Sequence, residues 1–286
     1  MTVLALAGCW TLTTDLDVGG TAEPGEEAGV PVGDSGGGGS EDGPGPSTDA
    51  SSPDGESLID ASRADALPDG APLGFCEGYA TPPRICDDFD TGSLGSKWTR
   101  IEDNGTGAST LGTTIFKSAP NAYVAKIPSG CSAGHAAQLI DEAPGQPAEV
   151  KIDFDVSIAP MGAQPNINLA GIQYLQSGSP GFYRVDVAFR NTHLEIHQNP
   201  PFAVLGTSEK VFPFDTFKHV SIIFTFVGSP RVIVKVEGAT ELDEVITAPL
   251  PTNNVTKLDF GVYAGSACQG AIEARFDNVL YFVKTR

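Results

Sequence analysis

The sequence predicts an all-β protein, an antiparallel two-sheet β-sandwich preceded by a disordered linker. From Ile85 onward, runs of alternating apolar and polar residues follow one another, with turn signals about 8–12 residues apart. No run longer than a turn or two has helical periodicity. Before these strands, residues 10–75 are rich in Gly, Pro, Ser and acidic residues. We therefore divide the chain into residues 1–9, a linker over 10–75 and a folded domain over 76–286.

Residues 1–9 end in the string Leu-Ala-Gly-Cys, at Cys9. This string resembles the signal of bacterial lipoproteins, in which the cysteine becomes the first residue of the mature protein and carries the lipid. The resemblance implies a bacterial cell-envelope protein whose acylated cysteine inserts into the lipid bilayer. Because only eight residues precede Cys9, without Lys or Arg, and an export signal needs a basic start, we expect the true start to lie upstream. The alternative is an incidental cysteine near a ragged terminus.

The linker carries most of the acidity of the chain. It holds 14 acidic side chains and one basic side chain, Arg63, out of a formal net charge of −19 for the 286 residues. Its apolar surface is too small to offset the roughly 1–2 kcal/mol per residue of backbone entropy that ordering costs. We therefore expect a solvated, extended tether. The excess of acidic residues excludes a nucleic-acid binder, since phosphate contacts need clustered Lys and Arg.

Five cysteines are an odd number, and Cys9 is the one assigned to the lipid. The remaining four lack Cys-x-x-Cys metal spacing, so two disulfides are expected in an exported protein. Four cysteines allow three pairings. We favour Cys76–Cys86, which closes a small loop, and Cys131–Cys268, which joins two distant segments.

The strands of the folded domain are read from alternation. Alternation in residues 150–158 places five apolar side chains on one face of a strand, those of Val150, Ile152, Phe154, Val156 and Ile158. In residues 181–190, Tyr183, Val185, Val187 and Phe189 lie opposite three charged side chains. Further strands are expected over residues 221–227, 231–236, 257–263 and 271–283. About 13–15 strands exceed an immunoglobulin-type domain and suit a jelly roll.

Three short strings carry a family resemblance. Residues 87–98, Asp-Asp-Phe-Asp-Thr-Gly-Ser-Leu-Gly-Ser-Lys-Trp, resemble the opening strand and loop of concanavalin A-like lectin/glucanase domains. Residues 276–281, Phe-Asp-Asn-Val-Leu-Tyr, resemble their closing strand. Residues 214–220 resemble a laminin G-like segment, with Phe217 in place of the usual Trp. The resemblance covers residues 85–286 and implies a concanavalin A-like jelly roll; it identifies a fold better than a function.

Catalytic motifs of this fold are incomplete in the sequence. Retaining glucanases use two carboxylates about 5–5.5 Å apart, which appear as Glu-x-Asp-x-x-Glu or Glu-x-Asp-x-Glu. The nearest string, Glu241-Leu242-Asp243-Glu244, lacks the final Glu at either spacing and is expected to be a solvated edge. Nucleophile-elbow, zinc-protease and phosphate-loop motifs are absent from the sequence. Enzyme activity is therefore the less favoured expectation.

Candidate ligand contacts lie on three predicted strands. One strand face carries Arg184, Asp186 and Arg190, with Gln173 or Tyr174 on the neighbouring strand. On the next strand His193, Glu195 and His197 share a face, at a spacing that suits a sugar or a metal. The alternatives are a cross-strand salt bridge between Arg184 and Asp186, worth under about 1 kcal/mol, and a solvated strand face.

The family resemblance also implies a structural calcium ion. In related jelly rolls an Asp of the closing strand shares a cation with oxygens of the opening strand, and the matching positions here are Asp277 and one or two of Asp88 and Asp90. Calcium prefers oxygen ligands of this kind. The alternative is that Asp87 and Asp88 lie on an exposed edge strand and Asp277 bonds a turn.

These observations favour a lipid-anchored, monomeric, non-catalytic binding domain, with carbohydrate as the partner. Sugar recognition uses aromatic rings that stack on the sugar together with polar groups that bind its hydroxyls. Two alternatives stay open: a glycoside hydrolase with a non-standard carboxylate pair, and an adhesion or scaffold module that binds other proteins.

Overall fold

A computed structural model describes residues 75–77, 79–161, 166–175 and 181–286. Cys9 and residues 10–74 of the predicted tether lie outside the described residues. The described part of the chain contains fifteen β-strands and no helix. It accordingly offers no helix with the length and hydropathy needed to cross a membrane.

The strands form two sheets whose neighbouring strands pair antiparallel. The eight-stranded sheet runs in the order β13 (Ala239–Val245), β12 (Arg231–Val236), β11 (Lys218–Thr225), β6 (Pro147–Ile158), β15 (Ile272–Thr285), β4 (Ala122–Ile127) and β3 (Ala108–Gly112), with β1 (Ile85–Asp87) also paired to β15. The seven-stranded sheet runs in the order β10 (Ala203–Thr207), β9 (His193–Asn199), β8 (Phe182–Arg190), β7 (Ile167–Leu175), β14 (Val255–Ala264), β5 (Ala136–Pro144) and β2 (Arg100–Asn104). The predicted antiparallel β-sandwich is confirmed.

The core lies between the two sheets, where the inward faces of their strands meet. The five apolar residues predicted to share a face of β6, Val150 through Ile158, are all buried. Phe260 of β14 joins the sheets, since its ring lies 4.7 Å from that of Phe276 in β15 and stacks 5.5 Å from Trp98. Aromatic pairs at these separations stabilise a fold beyond the area that they bury.

The first and last strands lie side by side, as the resemblance implied. Ile85 and Asp87 of β1 pair with Tyr281 and Val279 of β15. The Trp98 indole N–H donates to the buried Asp87 carboxylate at 2.9 Å. This hydrogen bond fastens the opening loop to the sandwich.

The Asp277 carboxylate accepts hydrogen bonds from the loop before β4. It accepts the backbone N–H groups of Lys117 at 2.8 Å and Ser118 at 2.7 Å, and the Ser118 hydroxyl at 2.9 Å. Within the described ranges no three His, Cys, Asp or Glu side chains form a group that could hold a metal ion, so Asp88, Asp90 and Asp277 are not gathered into one. Asp277 instead connects the loop before β4 to β15. This role resembles the alternative in which Asp277 bonds a turn.

Both favoured disulfides are confirmed. Cys76 bonds Cys86, and Cys131 bonds Cys268 across 137 residues of sequence. The second bond connects the β4–β5 loop to the β14–β15 loop. Because each of these loops crosses from one sheet to the other, the bond ties both crossings together.

Candidate active site

The candidate ligand-binding site lies on the outward face of the seven-stranded sheet, where polar side chains line a cavity. Alternation turns Val185 and Val187 of β8 into the core and leaves Arg184 and Asp186 on the outward face. The same rule puts His197 of β9 on that face. Polar side chains of the adjacent strands β8 and β9 therefore lie together on this face, and the opposite face of each strand is apolar.

A cavity of about 200 Å³ opens on this face. Strands β7, β8, β9 and β14 and their connecting loops form its wall, which consists of Asn166, Asn168, Phe182, Arg184, Asp186, His197, Asn199, Phe202, Tyr263 and Gly265. Two exposed aromatic rings, Phe182 and Phe202, flank a polar interior. Such a mixture of rings and polar groups is typical of sites that bind sugars.

Arg184 lies at the centre of the charges in the cavity. Its Nε donates to the Asp186 carboxylate, and its Nη2 lies 3.8 Å from an Asp259 oxygen. Burial by itself lowers the pKa of the Arg184 guanidinium, but the negative charges of Asp186 and Asp259 outweigh burial and raise it above its ordinary value. Burial also raises the pKa of the Asp186 carboxyl, against the opposing charge of Arg184. Arg184 is thus a permanently charged group held in one place.

Arg184 also packs against Tyr263. The guanidinium carbon lies 4.9 Å from the centre of the Tyr263 ring, at a distance that favours a cation–π interaction. Tyr263 stands near the end of β14, where Gly261 has a φ of +127° and the pairing with β7 changes register. This irregularity positions the phenol beside the guanidinium.

His197 is held by a carboxylate on its own strand. Its Nε2 lies 2.7 Å from Glu195 Oε2, and the imidazole is 3 % exposed. The Phe202 ring packs edge-on against the imidazole at 5.3 Å. A carboxylate partner on one ring nitrogen orients the imidazole and leaves the other nitrogen to act as an acceptor.

Three asparagines, Asn166, Asn168 and Asn199, belong to the polar lining, and two of them have unpartnered oxygens. The side-chain oxygens of Asn166 and Asn168 are buried and accept no hydrogen bond from the described residues. A buried polar group without a partner costs about 1–3 kcal/mol. These amides are therefore suited to hydrogen-bond a ligand in the cavity.

The structure brings together some of the predicted ligand contacts. Arg184, Asp186 and His197 line the cavity, and Glu195 supports His197. Gln173 lies on the same face and its amide donates to Asp259.

The other predicted contacts lie elsewhere. Tyr174 points into the core and stacks on Tyr183 at 6.0 Å, so it does not reach the cavity. Arg190 is exposed at the end of β8, and the His193 ring bonds the Asn191 carbonyl oxygen.

Among the polar residues of the cavity, we did not predict Tyr263, Asn166, Asn168 or Asn199 from the sequence. The signal for Tyr263 was present, because alternation through the predicted strand 257–263 puts Lys257, Asp259 and Tyr263 on the face opposite Leu258 and Phe260. Asn166 precedes β7 and Asn168 lies within it; because this strand is buried on both faces, alternation did not mark an outward face there.

The string Glu241–Glu244 lies on edge strand β13 of the other sheet. The Glu241 carboxylate pairs with Lys210 at 2.6 Å, and Asp243 pairs with Arg231. The expected edge position is observed, but the Glu241 side chain is only 10 % exposed, so this carboxylate is held in an ion pair and is not freely solvated.

No protein-family model and no curated protein matches this sequence. Among solved structures, an endo-β-1,4-glucuronan lyase from the fungus Trichoderma reesei matches with a TM-score of 0.53 and 13 % identity, covering 71 % of this chain and 96 % of that one. The protein described as "Cellulose induced protein, Cip1" matches with a TM-score of 0.53 and 16 % identity, covering 71 % and 98 %. A weaker match, with a TM-score of 0.45 and 11 % identity, is alginate lyase A1-II′, covering 61 % and 85 %.

These similarities show the fold and correct the expected function. We expected this sandwich to be a non-catalytic binding domain. The same fold covers 96 % of the glucuronan lyase chain, which is an enzyme. The expectation of a non-catalytic binding module was therefore wrong, and so was the preference against enzyme activity. The preference against enzyme activity rested on the absence of the paired glucanase carboxylates, which a lyase does not require.

Proposed function

We propose that this chain is a carbohydrate-processing enzyme, a polysaccharide lyase that cleaves a uronic-acid-containing chain by β-elimination in the cavity around Tyr263. One observation carries the proposal: a phenol, an imidazole and a guanidinium from three different strands line a single cavity on the outward face of the sheet. The fold shared with a glucuronan lyase supports it.

β-Elimination makes three demands on a site. A base removes the proton on C5 of the uronate, the electron pair of that C–H bond forms the C4=C5 double bond, and the C4–O bond breaks. The leaving oxygen takes a proton from an acid, which balances the step. Because negative charge builds up on the uronate carboxylate as C5 loses its proton, the site also needs donors that stabilise this charge.

The cavity contains a group for each demand. We assign His197 as the base, because Glu195 binds its Nε2 and leaves Nδ1 as the acceptor. Tyr263 is the acid that protonates the leaving oxygen. Arg184 stabilises the carboxylate through its Nη2, which makes no hydrogen bond within the described part of the chain. The unpartnered side-chain oxygens of Asn166 and Asn168 accept hydrogen bonds from hydroxyl groups of the bound sugar.

The test is the appearance of unsaturated uronate. The full chain is incubated with glucuronan, alginate and polygalacturonate, and the ultraviolet absorbance of the new conjugated double bond is followed. Tyr263→Phe and His197→Gln should each reduce kcat by at least about 100-fold, the usual contribution of general acid–base catalysis.

Each cavity variant has a matched control. Tyr183→Phe and His193→Gln change the same residue types outside the cavity and should leave kcat unaltered. The proposal is overturned if none of the three polymers yields unsaturated product, or if both cavity variants keep the activity of the unmodified chain.

A further inference from the structure

We infer that the proposed active site continues into a second sugar subsite on the same sheet face, which binds a neutral sugar residue next to the uronate. The inference rests on the proposed function for the identity of the cleaved residue. Its own observations are a second cavity, a row of polar residues that connects it to the first, and the pairing of its charges.

The second cavity adjoins the first. It encloses about 250 Å³ and is lined by Glu142, Gln173, Tyr174, Leu175, Phe182, Asn253, Val255 and Lys257. Phe182 lines both cavities. The ring, 51 % exposed, therefore stands at the boundary between them, in contact with both spaces.

A row of polar residues on five adjacent strands connects the two cavities. The strand register places Asn199, Arg184, Gln173, Lys257 and Glu142 side by side on β9, β8, β7, β14 and β5. At about 4.8 Å between strands, five strands give a row about 19 Å long. Asn199 and Arg184 belong to the first cavity and the other three to the second. A bound chain that crosses the strands would therefore meet both cavities in succession.

The charges of the second cavity are already paired. The Lys257 ammonium lies 2.8 Å from Asp259 and 3.7 Å from Glu102. The Glu142 carboxylate lies 2.5 Å from Arg100. An additional carboxylate on the ligand would compete with the carboxylates that Lys257 already faces, so the cavity disfavours a second uronate.

Its remaining groups fit an uncharged sugar ring. The exposed side chains of Phe182, Leu175 and Val255 offer an apolar surface to the C–H face of a sugar. The Asn253 side-chain oxygen is buried and lacks a hydrogen-bond donor in the described part of the chain. A sugar hydroxyl would supply that donor. Ring face and hydroxyl, not charge, therefore determine what binds.

The test uses two hexasaccharides of the same β-1,4 linkage, a glucan and a glucuronan, which differ in the C6 carboxylate. The neutral glucan has no acidic C5 proton and is not cleaved by β-elimination, so its binding to the full chain is measured by calorimetry without turnover. We expect Phe182→Ala to weaken glucan binding about tenfold and Asn253→Ala to weaken it several-fold. Added salt should change the glucan affinity little, because no charge pair forms.

Phe116→Ala is the matched control, since this exposed phenylalanine lies between β3 and β4 of the other sheet. It should leave glucan binding unaltered. Glucan binding that Phe182→Ala and Asn253→Ala both weaken supports the subsite even if no polymer is cleaved. The subsite is overturned if the glucan does not bind, if both variants bind it normally, or if their losses appear with glucuronan alone.

Discussion

His219 and Asp155 form an ion pair on the outward face of the eight-stranded sheet, 3.4 Å apart. The hydrogen bond to Asp155 raises the pKa of the His219 imidazole above its ordinary value, with further support from Asp153 and Glu237. Burial works to raise the pKa of the Asp155 carboxyl, but its bonds to His219 and Asn278 outweigh burial and lower it. Both directions describe a pair that is charged in the folded state.

The sign of the pH dependence follows from the His219 pKa. Since that pKa is higher in the folded state, its stabilising contribution is complete below the ordinary histidine value of about 6.5 and is lost as the pH rises through the folded value. We expect the melting temperature of the unmodified chain to fall across this window more than that of His219→Gln. His193→Gln should follow the unmodified chain. If the melting temperatures of His219→Gln and of the unmodified chain fell equally with rising pH, the prediction would be wrong.

Single residues also show why the site was only partly predictable. Arg184 and Asp186 were found because β8 is apolar on one face only. Strand β7 is buried on both faces, so the sequence left Gln173 and Tyr174 as alternatives, and packing against Phe226 turned Tyr174 inward. Tyr263 was missed because its meeting with Arg184 depends on the pairing of strands far apart in sequence.

Among the elements, β14 determines the geometry of the site, since it carries both Asp259 and Tyr263. Gly261 lies between them with a φ of +127°. A Cβ at this position would lie 2.4 Å from the Ala137 carbonyl oxygen and 2.6 Å from the Tyr123 hydroxyl. Strand β14 therefore requires glycine here to follow β5 closely and to place Tyr263.

We predict that Gly261→Ala lowers the free energy of unfolding by about 2–4 kcal/mol, from backbone strain and overpacking. It should also impair the proposed activity, because the strand shifts under Tyr263. Urea denaturation measures the first effect. Gly265→Ala is the control for stability, since its Cβ would meet no atom closer than 3.6 Å; an equal loss in the two variants would contradict the prediction.

Strands were the most predictable elements. Alternation located β12 at residues 231–236 and β15 from residue 271, within a residue or two of the observed bounds. The order of the strands within the sheets was not predictable, because β15 pairs with β6, which lies more than a hundred residues earlier. Alternation specifies which face of a strand is buried and carries no information about its partner.

At the scale of the whole molecule, the two disulfides restrict the conformations of the unfolded chain to different extents. The Cys131–Cys268 bond closes a loop of 137 residues, whereas Cys76–Cys86 closes one of 10. In the chain-entropy model the longer loop stabilises the fold by about 5 kcal/mol and the shorter by about 3 kcal/mol. The longer bond also joins the two loops that cross between the sheets, near the end of β14 that carries Tyr263.

We therefore predict that Cys131→Ser with Cys268→Ser costs about 2 kcal/mol more in free energy of unfolding than Cys76→Ser with Cys86→Ser. Urea denaturation of the two double variants measures the difference. Because the crossing loops hold the end of β14, the first variant should also lose more of the proposed activity at a temperature where both remain folded. A larger loss from the Cys76–Cys86 pair would show that strain or packing, and not loop length, governs stability in this sandwich.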